Sequence, residues 1–137
     1  TVNILIILSL FSQVLAGISY NTEFQYMNLS EAKKRWGSQP FDAEKFRGGE
    51  EAVRASMVVN LIESHSNLFV GKSFKEVKTK LGPSTGHFIN DAIPAYIISK
   101  DKNDIWQVVF APKDDSQKKV QGQKVVKEIR IHKNCCW

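Results

Sequence analysis

One dipeptide divides this chain into two kinds of pattern. Upstream of Gly82-Pro83 the apolar residues recur at helical spacing, and downstream they recur at strand spacing. Gly82 is placed for a left-handed helix cap, and Pro83 has no amide hydrogen with which to continue the helix. The helix that ends there opens at Ser73-Phe74-Lys75-Glu76, which reads as a capping box: the Ser73 side chain can accept from the Glu76 backbone N–H while the Glu76 side chain reaches back. Phe74, Val77 and Leu81 line one face of it. A longer amphipathic helix precedes it, from Glu50 to about His65, with Val53, Met57, Val58, Leu61 and Ile62 as its apolar stripe. Glu50 and Glu51 suit the helix dipole in the first turn, and Glu50 and Arg54 stand four apart in the favourable order.

Beyond Pro83 the chain reads as strands. The first is Ala95 to Ser99, and Asp101-Lys102-Asn103-Asp104 is a turn. In the second, Ile105 to Ala111, Trp106, Val108 and Phe110 share a face opposite Ile105, Gln107 and Val109. The third runs from Lys124 to His132, with Val125, Ile129 and Ile131 facing one way and Val126, Glu128, Arg130 and His132 the other. One buried and one wet face belong to an antiparallel sheet covered on one side. The fold class is therefore α+β: two helices packed on a three-stranded antiparallel sheet, occupying residues 47–137.

Two segments precede that domain. Residues 17–46 read as an arm with a short helix over Asn28 to Trp36, capped near Asn28 or Ser30, stopped by Gly37, with Trp36, Phe41 and Phe46 as anchors. Residues 1–16 read as a signal peptide, N-terminally truncated, since neither a basic start nor a Met precedes the apolar run. That run is uncharged from Ile4 to Leu15, short of the roughly 20 residues of a spanning helix. Val14 and Ala16 fit a cleavage site after Ala16, and position 18 is Ile rather than a lipid-bearing Cys. The expected location is therefore the bacterial periplasm or cell envelope, with peripheral membrane association as a further option. No charge precedes Glu23, so the whole net charge of +5 falls on the chain that follows.

The run Gly71-Lys72-Ser73, then Val77, then Leu81-Gly82-Pro83, followed by three strands, resembles the SmpA/OmlA (BamE-like) group of small bacterial envelope proteins. Arg54, Met57, Leu61 and Ile62 resemble a related set of small exported proteins of unassigned role. The resemblance covers roughly residues 47 to 132. It implies two helices on a three-stranded antiparallel sheet, a scaffold shared with β-lactamase-inhibitor-like domains, and a place in the envelope.

The residues offer little for catalysis. There is no hydrolase elbow, zinc-protease helix or phosphate loop, and Gly71-Lys72-Ser73 copies only the tail of the last. His65, His87 and His132 lie on three elements without ligand spacing, so neither a metal nor another cofactor is expected. If the chain were an enzyme, His87, Asp91 and His132 would be its acid/base group. The lysines are scattered, without the basic stripe and aromatics of a nucleic-acid binder. Cys135 and Cys136 are the only cysteines; a bridge between neighbours would be a strained ring, so a thiol-linked dimer or thiol capping suits them better. With His132 they would also form a soft metal-ligand set. The expected function is a non-enzymatic envelope protein that binds a protein or envelope component. Its candidate surfaces are the uncovered sheet face (Tyr96, Ile105, Gln107, Arg130 and His132) and the loop from Pro83 to Pro94. The alternative is a secreted inhibitor or immunity-type domain that grips one enzyme through loop aromatics.

Overall fold

The computed structural model describes residues 25–102, 104–114, 119–120 and 122–133. The leader-like run and the Cys135-Cys136 tail lie outside the described residues. The elements run β1 (Tyr26–Met27), α1 (Leu29–Trp36), α2 (Ala43–Gly48), α3 (Glu51–Ser64), a short 3-10 turn (Ser66–Leu68), α4 (Phe74–Leu81), β2 (Ala95–Asp101), β3 (Asp104–Ala111) and β4 (Glu128–Lys133). The class is α+β, with four α-helices and four strands among the described residues; the pattern gives two helices and three strands for the domain and one helix for the arm, so α2 and β1 are the additions. All strand pairs are antiparallel, in the order β1-β4-β3-β2.

The helix ends follow local chemistry. The Asn28 side chain accepts from Glu31 N at 2.8 Å and opens α1, and Gly37 closes it at φ 80. Asp42 caps α2 in the same way, accepting from Lys45 N at 3.0 Å. In α4, Ser73 Oγ accepts from Glu76 N at 3.1 Å, and Gly82 ends the helix at φ 87. Each cap satisfies an amide that the first helical turn would otherwise leave unpaired.

The helices cover one face of the sheet. Register places Tyr96, Val108 and Ile131 in one row and Phe110 beside Ile129, all on the helix side. Five aromatic rings close a circuit there. Phe46 meets Tyr96 at 5.4 Å, Tyr96 meets Phe110 at 5.9 Å, Phe110 meets Phe69 at 5.3 Å, and Phe41 joins Phe69 to Phe46 at 5.8 and 6.1 Å. The arm, the turn after α3 and two strands thus share one apolar contact network.

Two apolar assignments are corrected. Val53 is exposed, whereas Ala55 and Val59 are buried. The reason is that α3 packs against β2 on one side and α1 and α2 on the other, so it buries more than a single stripe. Val125 is exposed and Val126 buried, because residues 124–126 do not belong to β4. They pair with the entry to α4: Gly71 N donates to Val126 O, Val126 N to Lys72 O, and Phe74 N to Lys124 O. The chain changes partner before Glu128, and the alternation changes phase with it.

The β2 edge is capped by side chains, and the edge strand at the other side is short. On β2, Ala95 N donates to Ser84 Oγ, Ile97 N to Thr85 Oγ1, and Arg54 Nε to Ile97 O at 3.0 Å. The buried Arg54 also donates to Gly49 O at 2.7 Å, and burial pulls its pKa below the ordinary arginine value, against Glu51 and Tyr96, which raise it. At the other edge β1 is two residues long, and Lys133 N donates to Gln25 O at 2.8 Å, so the described chain begins and ends side by side.

Candidate functional site

The sheet face expected to be open is covered. The loop from Pro83 to Pro94 lies across it and is fastened at its middle by one side chain. Gln107 Oε1 accepts from His87 N at 3.1 Å, and Gln107 Nε2 donates to His87 O at 2.8 Å. Gly86 passes so close that a Cβ there would strike the Gln107 carboxamide. Phe88 is buried, with its ring 4.6 Å from that of His132, while Tyr26 meets His132 from another side at 5.4 Å. Gln107 and His132 are both buried completely.

The five residues proposed as one surface therefore do not form one. Tyr96 is on the helix side, because register places it opposite Val108, and its hydroxyl donates to Gly82 O at 2.7 Å. Gln107 and His132 lie beneath the loop. Arg130 is half-buried at the rim, 3.1 Å from Glu128 and with its guanidinium 5.3 Å from the Tyr26 ring. Ile105 stands apart, half-buried near the β2–β3 turn. Pattern alone cannot reveal this cover, since the loop has no periodicity of its own.

The proposed acid/base group is only partly assembled. His87 Nδ1 lies 3.3 Å from Asp91 Oδ1, but His132 is the ring packed under Phe88. His65 caps α3 and packs against Phe41 at 5.7 Å. Among the described residues, no three His, Cys, Asp or Glu side chains come close enough together to hold a metal ion. No described helix is long and apolar enough to cross a membrane.

What the loop creates is a groove on its outer side, between itself and α4. The groove has a volume of about 730 Å³. Its apolar lining is Phe74, Pro83 and Ala92, with Thr79 beside them, and Lys75, Lys78 and Lys124 stand around it. Lys75, Lys78 and Thr79 share a helix face because they are spaced three and four apart. Lys124 reaches the same place through the ladder that sets Phe74 N on Lys124 O at 2.8 Å. Lys78 Nζ donates to Asp91 O at 2.6 Å and straps the loop to the helix. The Lys75/Lys78 spacing is visible in the sequence, but the arrival of Lys124 is not, because it depends on a pairing between distant segments.

The hydroxyls at the groove are already engaged. Ser73 caps α4, and Thr79 Oγ1 donates to Lys75 O at 2.9 Å. No carboxylate, imidazole or thiol lines it among the described residues. An arrangement of ammonium groups over an apolar floor can attract and seat a ligand. No family model matches this chain, and neither the curated proteins nor the solved structures include a match.

Proposed function

We propose that this chain is a non-enzymatic, exported protein of the bacterial cell envelope, BamE-like in scaffold, that binds a protein or another envelope component through the groove between α4 and the Pro83–Pro94 loop. The observation that carries this reading is the groove itself: an open apolar floor ringed by lysines, in which every hydroxyl is already committed to the backbone. Export is supported by the uncharged apolar run from Ile4 to Leu15 and the small residue at Ala16. The scaffold is supported by the order α3, α4, β2, β3, β4, in which two helices lead into three antiparallel strands. The inhibitor reading draws less support, because Phe88, the aromatic of that loop, is turned into the core.

The test is site-directed photocrosslinking in the envelope fraction of a bacterial host. A photoreactive residue replacing Thr79 should give a discrete adduct, and the same residue replacing Glu63, exposed on α3, should not. Adducts from both positions alike, or from neither, would sink the proposal.

A further inference from the structure

We infer that the groove takes a short acidic segment of a partner protein, in which one apolar side chain has aspartate or glutamate close by. This rests on the binding reading above and names the chemistry of what is bound. Lys75, Lys78 and Lys124 line the groove together and, like most lysines among the described residues, have no ion-pair partner there. Lys78 is held by its bond to Asp91 O, so one positive charge is fixed at the loop side before any ligand arrives. Lys75 and Lys124 line the same groove and are exposed.

Ammonium groups around an apolar floor are the complement of a chain carrying carboxylates close to an apolar anchor. The shape favours an extended chain over a compact ligand. A second depression, lined by Ile89, Asn90 and Gly122, shares Ala92 and Lys124 with the first, so the two form a trough. Lysine ammoniums act as point charges without a planar fork, so the position of the carboxylates would be read loosely and the apolar anchor would set the register. A nucleic-acid strand is a poorer fit, because Phe74 is only 5% exposed and offers no ring face for a base to stack on.

The experiment uses the purified full chain, immobilised, to select from a displayed library of random short peptides. Enriched peptides should share an aromatic or aliphatic residue with Asp or Glu close by, and their binding should weaken as salt is added. The double substitution Lys75→Glu with Lys124→Glu should weaken binding by roughly tenfold or more, with an unchanged melting temperature. Ala92→Trp, which fills the trough where the two depressions meet and leaves the charges, should also abolish it. An enriched motif without acidic residues, the absence of any motif, or binding indifferent to the charge reversal would overturn the inference. Vesicles of phosphatidylserine in phosphatidylcholine serve as a second probe. Sedimentation with them through the same lysines, without a peptide motif, would overturn the acidic segment while leaving the binding reading intact.

Discussion

Lys102 adopts φ 53 in the turn joining β2 to β3, a backbone conformation that side chains with a Cβ enter at a cost. Tight hairpins tolerate it because positive φ matches the twist of the strands. Lys102→Gly should therefore stabilise the protein by about 0.5–1 kcal/mol, read as a higher urea midpoint with an unchanged slope. Tyr96 offers a test of a different kind. Burial raises its pKa, with the charge of Arg54 working against that rise. The folded protein keeps the phenol protonated while the unfolded chain ionises it, so this group lowers stability as pH climbs above the ordinary tyrosine value near 10. Tyr96→Phe should cost about 1–2 kcal/mol at neutral pH through the lost bond to Gly82 O, and should decline less steeply in alkali. Urea curves that stay parallel for the two proteins above that pH would show the attribution to be wrong.

At the scale of elements, the caps were legible and the cover was not. Ser73, Gly37 and Gly82 announce helix ends through chemistry confined to neighbouring residues, and of the two caps open to α1, Asn28 and Ser30, it is Asn28 that serves. The β2–β3 hairpin is equally local. By contrast α2 is too short to show a period, although Phe46 marks it as an anchor and is buried completely. The wet face assigned to Gln107 and His132 failed because a loop, invisible to periodicity, supplies its second layer. That layer depends heavily on Gln107, whose carboxamide holds both backbone groups of His87. Gln107→Leu should keep the sheet and loosen the loop: hydrogen exchange at the His87 amide should speed up by one to two orders of magnitude, while β4 amides stay protected. The groove inherits its far wall from the same loop, so its lysines were readable as charges and unreadable as a group.

Across the whole molecule, the circuit of five rings binds the arm to the sheet, which is why residues before 47 share the core with those after it. The pairing of Tyr26 with His132 joins the two extremes of the described chain, and Lys133 N reaches Gln25 O. Folding must close nearly the full length of the described polypeptide to form β1–β4, a contact with a large loop-closure entropy cost. A circular permutant joined from Lys133 to Gln25 by a short flexible linker, and opened at the exposed Ser38-Gln39 link, would turn β4 and β1 into a hairpin. It should keep the native circular-dichroism spectrum and refold several-fold faster than the parent in stopped-flow dilution from urea. Equal refolding rates would mean that the β1–β4 closure comes after the rate-limiting barrier, so that the speed of folding is set by contacts between elements nearer in the chain.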